Sequence, residues 1–272
     1  MTYQSLLCHV SPTRERNRHL ECAAALADEM SAHVIGLGAE MIPPLALSSG
    51  GAYIGAGEWI TALQSQIETN LVSSRKAFDE ITGARDCEWR QAFCDPRTAI
   101  IATARAADLI LVRRQEVTDT YSELDPSQLL IGAGRPVLLC PPEMSSLPPG
   151  PALVAWKETR ESRRAVLDAL PLLRRAAGVL VVEASPNADL APERARLADV
   201  CAFLERHGVR AGSDVIRREG SSSQALIARA KTYGADLIVA GAYGRTRLSE
   251  WVFGGVTRAL LAQEQRFVLF SH

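Results

Sequence analysis

Charge of one sign is what this sequence most plainly lacks: 30 Lys and Arg stand against 31 Asp and Glu, a formal net charge of −1 over 272 residues. So balanced a chain has no global field to gather nucleic acid or anionic lipid, and neither partner is expected. Long apolar runs are missing as well. No stretch approaches the roughly 20 residues that a spanning helix needs, and the start MTYQSLLCHVSPTRER has no cationic leader followed by an apolar core and a cleavage site. A cytoplasmic protein with no membrane association is the expectation. The six cysteines, Cys8, Cys22, Cys87, Cys94, Cys140 and Cys201, form no C-x-x-C pair and have no histidine at ligand spacing. That argues against a zinc site or a redox dithiol, and the cysteines read as reduced, mostly buried thiols. The five histidines, His9, His19, His33, His207 and His272, make no H-E-x-x-H, and there is no G-x-S-x-G elbow. No catalytic residue and no metal site is assigned. His9 reads as a packed or capping side chain, and Glu158 and Glu161 as the acidic first turn of a helix rather than a catalytic pair. Aromatics are sparse, and the arginine-rich run 160–175 has none interleaved, so it reads as a solvated helix face rather than an RNA surface.

What is present is enough apolar sequence, 47% of residues, for two cores, and the length suggests two domains of roughly 130 residues each. A repeat supports the division. ADLILV at 107–112 recurs as ADLIVA at 235–240, RPVLL at 135–139 as RFVLF at 266–270, and the strand-like 6–10 answers to 153–157, all in the same order. Between the halves lies PPEMSSLPPGP, residues 141–151, whose prolines stop both helix and strand. The domains are set at 1–143 and 151–272.

In the second half, short Val, Ile and Leu runs predict strands near 152–156, 179–184, 213–217, 236–240 and 267–270. Segments of helical period predict helices near 160–175, 192–207, 221–232 and 254–263. Ser221, Ser222 and Ser223 offer N-caps for the third helix, and His207-Gly208 a stop for the second. Strands that are apolar throughout and separated by helices imply a parallel sheet covered on both faces. The fold class is therefore α/β, two tandem doubly wound five-stranded units. The first half repeats the plan with strands near 5–10, 33–38, 88–93, 108–112 and 136–140 and a long helix near 58–82. Its glycine-rich stretch 48–57 has neither a G-K-[S/T] ending nor G-x-G-x-x-G spacing, and reads as a connector.

One stretch carries chemistry. AGAYGRTRLSEWVFGGV, residues 240–256, follows an expected strand and places Gly241 and Gly244 three apart, then Gly254-Gly255 at the start of a helix. Ligands of open parallel sheets lie beyond strand carboxyl ends. Glycines there allow a tight turn and close backbone approach, and the amides opening a helix suit a phosphate. Arg245 and Arg247 read either as phosphate contacts or as a solvated loop. Trp156, ending the first strand of this half, reads equally as a surface for a base or as core.

This spacing resembles the nucleotide-binding motif of the universal stress protein family. ADLIVAGAYGRTRLSEWVFGGVTRALL looks like that family's fourth strand, loop and last helix, RFVLFSH like its closing strand, and the whole chain like the tandem form. The resemblance implies a Rossmann-like fold of the adenine-nucleotide alpha hydrolase type. It also implies an ATP-like adenine nucleotide held at Gly241, Gly244, Gly254, Gly255, Val256, Ala155 and Lys157, with Arg245 and Arg247 near the phosphates. Two departures stand out. Gly255 occupies a place where the family often has Ser or Thr. Lys157 occupies the place of an Asp in many ATP-binding members, which argues against Mg²⁺ while a lysine can pair directly with phosphate. In the first half Arg113 holds the place of Gly241 and Asp is again absent after His9, so that half reads as degenerate. Gly132 and Gly134 read there as a turn. The resemblance further implies a stress-response role through binding and signalling, with the two domains packed as an intramolecular pseudo-dimer, their last strands the candidate seam, and homodimers a further option. Weak ATP hydrolysis or phosphotransfer, and a nucleotide-free interaction scaffold, are the alternative readings.

Overall fold

The computed structural model describes residues 2–13, 17–43, 56–114, 124–217, 220–242, 255–263 and 265–272. The first half runs β1 (Ser5–His9), α1 (Arg18–Met30), β2 (His33–Ala39), α2 (Ala56–Thr82), β3 (Cys87–Ala92), α3 (Pro96–Thr103), β4 (Leu109–Arg113), α4 (Pro126–Gly132) and β5 (Val137–Cys140). The second runs β6 (Ala152–Trp156), α5 (Arg160–Arg175), β7 (Val179–Ser185), α6 (Ala191–Arg206), β8 (Ala211–Arg217), α7 (Ser222–Tyr233), β9 (Leu237–Gly241), α8 (Gly255–Leu261) and β10 (Phe267–Ser271). The strands fall within two residues of the expected spans.

Local chemistry accounts for these elements. Each inner strand is buried along nearly its whole length, as Leu109-Ile110-Leu111-Val112 and Leu153-Val154-Ala155-Trp156 show, because helices cover both faces. On α5, Ala165, Val166, Ala169, Leu170 and Leu173 are buried while Arg160, Arg163, Arg164 and Arg174 are exposed, an amphipathic stripe at helical spacing. Thr159 caps that helix, its Oγ1 accepting from the Ser162 amide at 3.3 Å. Asp95 and Asp125 cap α3 and α4, each followed by a proline at the first turn. Ser221 stands at the N-cap of α7 but makes no side-chain cap bond; its Oγ is taken by Ser223 Oγ at 2.7 Å. His207 closes α6, and Gly208 follows with φ +78°.

All ten strands join one sheet in the order β3-β2-β1-β4-β5-β10-β9-β6-β7-β8. Within each half the pairing is parallel and the order is the same when read outward from the centre. The halves meet where β10 pairs antiparallel with β5, Val268 opposite Leu139, Leu269 opposite Leu138 and Phe270 opposite Val137, all fully buried. Either half alone would present this strand as an open edge; the pairing satisfies both ladders at once. Arg175 reinforces the join through Glu29 at 2.8 Å and the Leu147 carbonyl at 3.0 Å.

The core is two layers, one on each sheet face. Helices α1, α2, α5 and α6 cover one, through residues such as Leu26, Phe78, Leu170 and Leu197. Helices α3, α4, α7 and α8 cover the other, through Ile100, Leu129, Leu226 and Leu260. Consecutive connections from β6 and β9 therefore leave to opposite faces, and those from β1 and β4 do the same. Two crossover clefts result, one in each half.

Candidate functional site

At the second-half cleft the carboxyl ends of β6 and β9 lie side by side, Ala155 opposite Ala240. Successive strand residues point to opposite faces. Ala155 belongs to the layer under α7 and α8, while Trp156 is buried in the layer under α5 and α6. The tryptophan is therefore core, which decides between its two sequence readings. Lys157 follows, exposed, and the chain turns at once into α5. The Lys157 amide donates to Ser162 Oγ at 3.2 Å and its carbonyl accepts from the Thr159 amide at 2.7 Å. This tight turn brings the first turn of α5 against β9.

Gly241, the last residue of β9, makes that approach feasible. A Cβ there would lie 2.6 Å from both the Glu161 carbonyl carbon and the Ser162 amide nitrogen, closer than any side chain can sit. Ala242 continues the strand pairing, its amide donating to the Ser271 carbonyl at 2.8 Å, and a His272 ring nitrogen lies 3.0 Å from the Ala242 carbonyl. Gly255 opens α8 with no described residue within 4 Å of where its Cβ would point, and Val256 beside it is half-buried against the layer under α8. Gly244, Arg245, Arg247 and Gly254 lie outside the described residues.

Glu161 is the side chain that sequence reasoning underrated. It stands in the acidic first turn of α5, as expected, yet only 2% of it is exposed. Its Oε1 accepts from Arg160 Nε at 2.5 Å, while Oε2 is buried and, among the described residues, meets no donor in good hydrogen-bond geometry. Burial works against its charge, but Arg160, the residue's own amide and the Thr159 hydroxyl together hold its carboxyl below the usual carboxylate range. Nothing in the local sequence signals this burial, because it comes from packing against β9. Glu158 on the same turn is half exposed and pairs with Arg163.

The first-half cleft is built differently. Arg113 ends β4 where Gly241 ends β9, and the Arg114 amide donates to the Cys140 carbonyl at 2.9 Å just as Ala242 does to Ser271. Arg114 is nonetheless 6% exposed, its guanidinium reaching toward the Arg266 carbonyl at 3.4 Å, so two arginines end this strand where the second half has glycine and alanine. Across the cleft, His9 ends β1 with Nε2 3.2 Å from the Ala39 carbonyl, and its own carbonyl meets His19 Nε2 at 2.7 Å. Burial lowers the His9 pKa, partly offset by the Ala39 bond. Fully buried Asn17 closes the following loop through the Ser11 amide and carbonyl and the Thr13 carbonyl. His9 is thus a packed histidine. Among the described residues no group of three or more His, Cys, Asp or Glu is placed to hold a metal ion, and no helix is long and apolar enough to cross a membrane.

Comparison with known proteins places this geometry. Residues 150–264 match the universal stress protein family. A universal stress protein from Archaeoglobus fulgidus superposes with a TM-score of 0.71 at 14% identity, over 98% of this chain and 95% of that one. A Pseudomonas aeruginosa protein of unknown function superposes at 0.61 with 18% identity, over 99% and 92% respectively. Both likenesses span the two halves and speak to the fold. No curated protein matches the chain. Residues 150–264 of the second half accordingly match the universal stress protein family, and the first half repeats the same fold.

Proposed function

We propose that the second half binds an adenine nucleotide at the β6/β9 cleft, and that the protein acts in a stress response by binding rather than by turnover. The observation that carries this reading is the contrast between the two clefts. The strand at the same crossover ends in Arg113 and buried Arg114 in the first half, and in Gly241 and Ala242 in the second, where α8 begins at Gly255 with no described residue within 4 Å of its Cβ position. The match of residues 150–264 to the family spans this cleft. In this reading the phosphates face the chain from Gly241 to Val256, with Gly244, Gly254 and Gly255 as backbone contacts, Arg245 and Arg247 alongside, and exposed Lys157 as a point charge in place of a metal ion. Ala155 lines the floor on the same side as α8.

The test is a thermal-shift titration with ATP, ADP, AMP and cyclic AMP. A ligand that binds only the folded state adds about 2.7 kcal/mol when present at a hundred times its Kd, enough to raise the melting temperature measurably. At least one of the four is expected to do so. No shift with any of them overturns the reading in favour of a nucleotide-free scaffold. Phosphate release above a blank, abolished by Gly244→Trp, would replace binding with slow hydrolysis.

A further inference from the structure

We propose that the free edge of β3 docks a second copy of this chain, the two β3 strands pairing antiparallel about a two-fold axis at Trp89. The inference is independent of the nucleotide reading and concerns the outermost strand of the first half.

Backbone, symmetry and charge agree on one register. The Val34 amide donates to the Asp86 carbonyl at 3.1 Å and the Glu40 amide to the Ala92 carbonyl at 3.4 Å, so the even-numbered residues of this stretch turn their backbone groups toward β2. By the period of two, Cys87, Trp89 and Gln91 turn theirs outward, along an edge that no other strand of the sheet covers. An antiparallel partner must therefore bond odd residues to odd residues. With Trp89 opposite itself, Cys87 meets Gln91 of the partner subunit and the whole outward row is matched. Glu88 then stands opposite Arg90 of the partner subunit, and Arg90 opposite the partner's Glu88. These are non-hydrogen-bonded positions, where side chains across a pair of strands come closest. Moving the axis one residue either way sets Glu88 against itself or Arg90 against itself. Charge thus selects the register that the backbone allows.

In the single chain Arg90 donates to Glu88 at 2.7 and 2.9 Å, both side chains partly exposed. Two copies merge these pairs into an alternating ring of four charges. Charged side chains ordinarily blunt a sheet edge; opposite signs spaced two apart on one face instead fit the strand's own copy. The other edge, β8, offers no such match. Its charges, Asp214 and Arg217, are three apart and so lie on opposite faces, where no two-fold register brings them together. Phe93, 63% exposed just past β3, gains cover from the second copy.

The test is sedimentation equilibrium on the intact chain from about 1 µM to about 1 mM, which brackets the dissociation constants of weak and moderate complexes. The chain is expected to pass from monomer to dimer within that span. Glu88→Arg or Arg90→Glu alone sets like charges opposite each other twice per dimer and is expected to weaken association at least about tenfold. The double exchange E88R/R90E restores opposite charges across the axis. It is expected to return the dissociation constant to within about threefold of the intact chain, a rescue that general damage to the strand could not give. Gln91→Pro removes an outward amide that β2 does not use, and serves if the charge variants fold poorly. It is expected to abolish the dimer with the circular dichroism spectrum unchanged. A chain that stays monomeric throughout overturns the proposal. So do dimers that survive Q91P, or single reversals that associate as well as the double exchange.

Discussion

The Tyr3 hydroxyl donates a 2.6 Å hydrogen bond to the backbone carbonyl of Asp168, 165 residues further along the chain. The Asp168 carboxylate in turn accepts from Ser271 Oγ at 2.6 Å and pairs with Arg164 at 2.9 Å. One helical residue thus ties the start of the first half to the last strand of the second. Burial, with Asp168 and Asp108 nearby, pushes the Tyr3 phenol far up from its ordinary pKa, so it stays a donor across the working range. Tyr3→Phe removes the donor and leaves the carbonyl short of a partner. A loss of about 1 kcal/mol follows, which lowers the melting temperature by roughly 2–4 °C. Calorimetry checks this, and an unchanged midpoint would show that the bond does not join the halves.

Gly241 and Gly255 flank the same cleft and should answer oppositely to one methyl group. At Gly241 the methyl meets the α5 backbone at 2.6 Å, and backbone cannot step aside as a side-chain tip can. Gly241→Ala is expected to cost about 1–3 kcal/mol. At Gly255 no described residue stands within 4 Å, and alanine is the better helix former by up to about 1 kcal/mol. Gly255→Ala should leave stability unchanged or raise it, in urea midpoints measured side by side. On the proposed nucleotide reading, Gly255→Ser should leave the urea midpoint unchanged and, by adding a hydroxyl donor, enlarge the thermal shift produced by the nucleotide that binds.

The cysteines divide into two sets. Cys8, Cys22 and Cys140 are buried; Cys87, Cys94 and Cys201 are half-buried. Burial pushes the Cys8 and Cys140 thiols well above their ordinary range, which removes the reactive thiolate. A thiol reagent at pH 8 should modify the second set in the folded protein and reach the first only with denaturant. Prompt reaction of all six would contradict the packing of α1 against β1 and β5.

His9 sets a pH dependence of known sign. Its folded pKa is lowered by burial, so the unfolded chain takes up the proton first, near pH 6.5. The stability it contributes is complete above that pH and is lost as pH falls toward the folded value. The carboxyls of Asp28, held low by Arg85, and Glu88, held low by Arg90, lose their contributions only at more acidic pH. Denaturant midpoints should fall between pH 7.5 and 5.5 in the intact protein and fall less in His9→Gln. Equal slopes in the two proteins would assign the effect elsewhere.

Much of the architecture was legible because its causes are local. The runs ADLILV and ADLIVA are apolar on both faces and too short for helices, and the stripe from Ala165 to Leu173 has helical spacing, so strands and α5 were placed to within two residues. The equivalence of Arg113 and Gly241 was legible too, since two copies of one pattern can be laid over each other. The first-half caps Asp95 and Asp125 carry an equally local signal, Asp before Pro at the helix start.

The sequence by itself determined two doubly wound units, their order and the glycines at the end of β9, because burial on both sheet faces and backbone freedom are written into residue type and spacing. Only the tertiary structure decided that β5 and β10 close the seam in that register, that Trp156 turns into the core, that Arg114 is buried at the end of β4, and that Glu161 is enclosed against β9. Each of those depends on what a side chain or a missing Cβ meets from an element tens of residues away. That is a matter of packing between surfaces, and no local pattern encodes it.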